Sequence, residues 1–154
     1  MNGILGRLRA MNPLAHHITN LVTMNDCANA TLAVGGSPVM TSSAEEAAEM
    51  ASMASTLVIN MGTCDEAQYE CMALAAKAAR SKGAPIVFDP VGADATEYRR
   101  RLARRIMEEL SPDIVKGNAA ELSFLASLVS ARPGTRDGLR QRGVDSTGAA
   151  EALA

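Results

Sequence analysis

Residues 56–92 read TLVINMGTCDEAQYECMALAAKAARSKGAPIVFDPVG, and two short apolar runs in them flank one helical pattern. Leu57-Val58-Ile59 is an apolar run too short for a helix and reads as a buried strand. Met61-Gly62-Thr63 turns the chain, and Thr63 with Glu66 has the spacing of a capping box. Ala67, Cys71, Leu74, Ala75 and Ala78 recur at helical spacing until Gly83 stops the run. Pro85-Ile86-Val87-Phe88 is the next strand and opens into Asp89-Pro90-Val91-Gly92. A strand, a long helix and a second strand imply a parallel crossover, because parallel strands need a covering connection.

The same alternation extends outward in both directions. Upstream, Pro13 to Thr19 can be extended, and Asn20 to Val34 predicts a helix stopped by Gly35-Gly36. Pro38-Val39-Met40 predicts a short strand. Ser42 with Glu45 predicts a second capping box, opening a helix whose Ala47, Met50, Ala51 and Ala54 share one face. Downstream, Thr96 to Leu110 predicts a helix with a Leu102/Ile106/Leu110 stripe. Asp113-Ile114-Val115 predicts a strand, and Asn118 starts a helix with Leu122, Leu125 and Ala126. From Ala131 onward the chain is rich in Gly, Arg and Ser and weakly patterned.

At 154 residues the chain suits one domain, and 47% hydrophobic against 21% charged residues favours a packed core over disorder. A net charge of −2 and an aromatic content of 3% argue against a nucleic-acid binder, which needs a basic surface and stacking platforms. A membrane span needs about 20 consecutive apolar residues, and no run here approaches that. Met1 to Ala10 carries Arg7 and Arg9 but no apolar core of a signal peptide. Cys27, Cys64 and Cys71 contain no C-x-x-C pair, so they read as small hydrophobes in a reducing, cytoplasmic setting.

In a parallel α/β sheet, ligands bind beyond the carboxyl ends of the strands. Those ends run here into Met40-Thr41, Asn60 to Thr63, Asp89 to Gly92 and Lys116-Gly117-Asn118. One rim would therefore gather Asn60, Asp89, Lys116, Asn118 and Glu121. Two carboxylates, a cation and amides suit a metal-phosphate site. Plainer readings stand beside this one. Asn118 with Glu121 also fits a helix N-cap with its N3 partner, and Asp89 before Pro90 can simply shape a turn. Arg99-Arg100-Arg101 with Arg104 and Arg105 reads as a solvated helix face opposite the apolar stripe. His16 and His17 are adjacent, so in a strand they point to opposite faces. No dinucleotide fingerprint, Walker loop or nucleophile elbow occurs.

The order of these motifs resembles the hydroxyethylthiazole kinase family. His17-Ile18-Thr19-Asn20, Asn25 with Ala28-Asn29, Gly36 to Met40, Ile59 to Thr63, Asp89 to Ala93 with Ala95-Thr96, and Lys116 to Glu121 follow one another at family-like spacing. Gly143-Val144-Asp145 looks like the next landmark. The resemblance implies an α/β, ribokinase-like fold: a mostly parallel sheet with helices on both faces, truncated. Residues 1–154 would be the N-terminal part of such a domain, with about 131–154 as the weakly patterned tail.

The implied reaction is ATP- and magnesium-dependent phosphorylation of the hydroxyl of 4-methyl-5-(2-hydroxyethyl)thiazole in thiamine salvage. By the same resemblance, Met40, Asn20, Val22, Asn60 and Gly62 would bind the thiazole in a pocket built between neighbours of a homotrimer. Lys116 and Asn118 would meet ATP, and Asp89 and Glu121 would stand near magnesium. Lys116 replaces a family arginine, keeping the charge but losing the bidentate fork. Asp94 stands where the family has glycine, and its carboxylate could repel phosphate. The family's catalytic Gly-Ala-Gly-Cys-type loop is absent from these residues, so the isolated chain is expected to be inactive. The alternatives are a non-catalytic fragment that binds thiazole or assembles with a partner chain, or another ribokinase-like small-molecule kinase.

Overall fold

The computed structural model describes residues 3–130. Five strands form one wholly parallel sheet in the order β2-β1-β3-β4-β5. They are β1 (Leu14–Ile18), β2 (Ser37–Met40), β3 (Thr56–Asn60), β4 (Ile86–Asp89) and β5 (Ile114–Val115). The helices between them are α2 (Met24–Val34), α3 (Ala44–Met53), α4 (Glu66–Lys82) and α5 (Glu97–Arg105), with α1 (Ile4–Met11) before β1 and α6 (Ala119–Ser130) after β5. Nothing in the sequence reading anticipated α1, which buries no residue. No helix among the described residues is long and apolar enough to cross a membrane.

Register separates the two faces of the sheet. His16 lies beside Leu57 and Leu57 beside Ile86; Ile18 lies beside Ile59 and Ile59 beside Phe88. All six are fully buried. They form the core face, covered by α3 and α4, with Leu102, Ile106 and Leu110 beyond and Leu125 of α6 joining the same cluster. Burying each large apolar side chain there contributes about 1.5–3 kcal/mol. On the other face Met40, His17, Val58, Val87 and Ile114 form a lateral row. There α2 reaches His17 through Thr31, Val58 and Val87 are only half-buried, and Ile114 is exposed.

Several local expectations are corrected. The helix expected from Asn20 begins at Met24, because the Asn20 side chain is spent on the preceding turn, accepting from Val22 N and Thr23 N. Ser43 rather than Ser42 caps α3, accepting from Glu45 N at 3.2 Å. Asp65 rather than Thr63 caps α4, accepting from Gln68 N at 2.8 Å. The expected helix from Thr96 to Leu110 is α-helical to Arg105 and then widens into a π turn over Ile106–Leu110. Arg80 of α4 caps that turn, donating to the carbonyls of Leu110 and Ser111. The tail from Ala131, including Gly143-Val144-Asp145, lies outside the described residues.

Candidate functional site

In a sheet of this order the first crossover runs one way and the next the other, so the crevice opens beyond the ends of β1 and β3. Two amides meet there. Asn20 Nδ2 donates to Asn60 Oδ1 at 3.0 Å, and Asn60 Oδ1 also accepts from Gly62 N at 2.9 Å. Both asparagines are buried. Gly62 is required by closeness: a Cβ there would lie 2.9 Å from Asn20 Cβ and 3.0 Å from Asn60 Oδ1. Leu21 N donates to Thr63 Oγ1, and Gln68 Nε2 donates to the Thr19 carbonyl. The turn after β1 is thus docked onto the turn after β3.

Register carries the rim onward. Asn60 lies directly beside Asp89, so both side chains share the face that holds Met40. Lys116 Nζ donates to Asp89 Oδ2 at 3.3 Å. Glu121 joins two segments: Oε1 accepts from Gly92 N at 3.0 Å and Oε2 from Asn118 N at 2.9 Å. Asn118 Oδ1 in turn accepts from Glu121 N at 3.0 Å. The capping reading of Asn118 and Glu121 is therefore correct, and the same carboxylate also clasps the Asp89–Gly92 loop.

Asn20, Asn60, Gly62, Asp89 and Lys116 are thus linked by hydrogen bonds and register, and Glu121 with Asn118 clasps the loop that follows Asp89. Met40 is half-buried on the same sheet face, beside His17. Val22 sits on the turn after Asn20 and is 81% exposed, so within one chain it borders open solvent.

The rim carboxylates bear on magnesium. A carboxylate at Asp89 and another at Glu121, near Pro90 across Gly117, match an ion held by one or two carboxylates and substrate phosphates. Among the described residues no cluster of three or more His, Cys, Asp or Glu could form an all-protein cage. Two rim carboxylates are the number that such a phosphate-bridged ion takes from its protein. Asp94, suspected of repelling phosphate, pairs with Arg100 Nε at 2.7 Å, so its charge is compensated locally.

Two readings change. Arg99 is not a solvated member of the arginine run: half-buried, it donates to the carbonyls of Met61, Gly62 and Val91. Its position was the available signal, since a helical side chain in the first turn leans back over the preceding loop. The cysteines divide. Cys64 and Cys71 are buried, whereas Cys27 is half-exposed on α2. Burial and the neighbouring Asp65 and Glu66 push the Cys64 thiol up to about 12, which makes it inert.

His16 and His17 face opposite sides, as expected. His16 Nε2 shares a 2.6 Å hydrogen bond with Thr41 Oγ1, and His17 Nε2 lies 3.3 Å from Thr31 Oγ1. Thr31 gives its own hydroxyl proton to the Cys27 carbonyl, so His17 Nε2 is the donor in that pair. Burial, then the charge of His17, lowers His16 to about 4, so both elements meet at a neutral imidazole.

Comparison with known proteins matches the chain to one family. The profile described as the hydroxyethylthiazole kinase family matches residues 5–154. A hydroxyethylthiazole kinase of Methanosphaerula palustris is 47% identical over 144 residues, covering 94% of this chain and 51% of that protein. One from Desulfatibacillum aliphaticivorans is 53% identical over 125 residues, covering 81% of this chain and 47% of the relative. The structure of hydroxyethylthiazole kinase protein from Pyrococcus horikoshii OT3 superposes with a TM-score of 0.76 at 46% identity, over 80% of this chain and 48% of that one. The chain spans about half the length of the relatives it matches.

Proposed function

The chain belongs to the hydroxyethylthiazole kinase family, and from that premise we propose that its rim is the acceptor and phosphate side of a small-molecule kinase. The acceptor is 4-methyl-5-(2-hydroxyethyl)thiazole and the donor is ATP with magnesium. Asn20, Asn60 and Gly62 border the thiazole, with Met40 and Val22 closing its apolar sides. Lys116 and the Asn118 end of α6 meet the phosphates, where a cation and the positive end of the helix dipole stabilise negative charge. Asp89 and Glu121 would hold magnesium, which neutralises charge developing on the transferred phosphoryl group.

The observation that carries this reading is the line from Asn20 through Asn60 and Asp89 to Lys116, with Glu121 clasping the loop that follows Asp89. It sets an amide-lined crevice beside a charged phosphate side, the juxtaposition that in-line transfer requires. The catalytic cysteine loop of the resemblance is not among these 154 residues. In this reading the present residues account for ligand binding, and turnover is measured in the presence of a polypeptide carrying the family's second half.

Val22 at 81% and Leu21 at 72% exposure beside the crevice support a thiazole pocket completed by a neighbouring copy, as in a homotrimer. The setting is the cytoplasm, where free thiols persist.

Calorimetric titration with the thiazole and with MgATP tests the reading. Asn60→Ala should remove thiazole binding and Lys116→Ala should weaken MgATP. Absence of both affinities in the unaltered chain, alone and mixed with the second half, would overturn it. Sedimentation at micromolar concentration should show self-association, and a monomer at every concentration would remove the shared pocket.

A further inference from the structure

The first turn of α5 grips two loops that leave different strands. Arg99 Nη1 donates to the Val91 carbonyl at 2.8 Å and to the Met61 carbonyl at 3.3 Å, while Nη2 donates to the Gly62 carbonyl. Tyr98 adds a hydrogen bond from its hydroxyl to the Cys64 carbonyl at 3.3 Å. The backbone of Arg99 is itself fixed, its N–H donating to the Thr96 cap at 3.2 Å. The neighbouring arginines do something different: Arg100 pairs with Asp94 and Arg101 with Glu97, all exposed.

The consequence lies in the peptide planes. In a trans peptide the carbonyl and the following N–H point in opposite directions. The plane joining Met61 to Gly62 has its carbonyl on Arg99 and its N–H on Asn60 Oδ1 at 2.9 Å. The plane joining Val91 to Gly92 has its carbonyl on Arg99 and its N–H on Glu121 Oε1 at 3.0 Å. One guanidinium thus orients both planes whose N–H groups hold Asn60 and Glu121. Its fixed fork can satisfy several carbonyls at once, which a lysine ammonium on a flexible stem does not reproduce.

We propose that Arg99 is a positioning residue that couples the crevice side of the rim to its phosphate side by orienting the 61–62 and 91–92 peptide planes. The proposal rests on the functional reading above for the names of the two sides, but its geometry does not. The guanidinium of Arg99 donates to loop carbonyls and acts through Asn60 and Glu121.

Amide hydrogen exchange on the isotopically labelled full chain tests it, with Arg99→Ala, Arg99→Lys and, as a control on the same helix, Arg101→Ala. In Arg99→Ala the amides of Gly62 and Gly92 should both exchange faster, on the order of tenfold, because a charged donor to each plane is lost. Amides of Ala75 and Ala76 inside α4 should keep their rates. Arg99→Lys should protect one of the two glycines and not the other, and Arg101→Ala should change neither.

The affinity for 4-methyl-5-(2-hydroxyethyl)thiazole should fall about tenfold in Arg99→Ala, following the loss of orientation at Asn60. Unchanged exchange at Gly62 and Gly92 in Arg99→Ala, or equal acceleration throughout α4, would overturn the proposal. So would full thiazole affinity in a variant whose two glycine amides have been released. If the unaltered chain binds no thiazole, the functional reading fails, while the paired glycine amides still decide the role of Arg99.

Discussion

Lowering the pH from 7 to 5 should destabilise this chain through one buried side chain, His16. Its imidazole is fully buried on the core face of the sheet, Nε2 is committed to Thr41, and Nδ1 has no partner among the described residues. A second ring proton would therefore be buried without an acceptor, beside His17. The ring is lowered from 6.5 to about 4 by burial first and by His17 second. The folded value lies below the unfolded one, so the unfolded chain takes up the proton first. Stability is complete above the unfolded value and is lost as pH falls toward the folded one. At about 1.4 kcal/mol per pH unit within that window, the loss between pH 7 and 5 comes to about 2 kcal/mol from His16 alone. His17 is lowered by burial as well and adds in the same direction.

With no Trp and two Tyr, urea unfolding is best followed by far-ultraviolet circular dichroism. His16→Leu removes the titrating ring and should flatten most of the slope between pH 7 and 5, whatever its effect at neutral pH. An unaltered chain equally stable at both pH values would refute the reasoning. The same slope in His16→Leu as in the unaltered chain would refute it too.

Gly62→Ala places a Cβ 2.9 Å from Asn20 Cβ, so it should cost about 1–3 kcal/mol and remove thiazole affinity before MgATP affinity, read by calorimetry. Glu121→Gln keeps the shape but sets an amide where a carboxylate accepts two backbone N–H groups; it should lower urea stability by about 1–2 kcal/mol and weaken MgATP binding. Tyr69 is pushed up to about 12 by burial and its 2.6 Å bond to Glu109, so its phenolate absorbance should develop well above the ordinary value of 10.0; a normal titration of that band, identified with Tyr69→Phe, would contradict the packing.

The parallel α/β class was legible because apolar runs too short for helices alternate with helical spacing, and nothing but a covered parallel sheet buries both patterns. Exact starts of helices were less legible. Thr63 and Ser42 carry the right spacing for capping boxes, yet Asp65 and Ser43 cap the helices. Local spacing leaves several caps equally acceptable. Distant contacts choose among them: Thr63 accepts from Leu21 N and the Ser42 carbonyl accepts from Cys71 Sγ. The arginine run misled for the same reason, since five like residues in sequence look equivalent until the loops beneath one of them are placed.

Which chemical groups stand at strand ends can be read from the order of residues alone, because the period of the apolar pattern ends where Asn60, Asp89 and Lys116 begin. That order also carried the family resemblance that residues 5–154 bear out. Which of those groups touch is a property of the folded sheet. Asn20 and Asn60 are separated by 40 positions and share a hydrogen bond. Arg99 reaches carbonyls 37 and 38 positions away. Such contacts depend on strand order and register, which arise from the sheet packing as a whole. No local run of residues encodes them, because hydrophobic burial is non-directional and only close packing and paired backbone groups fix position.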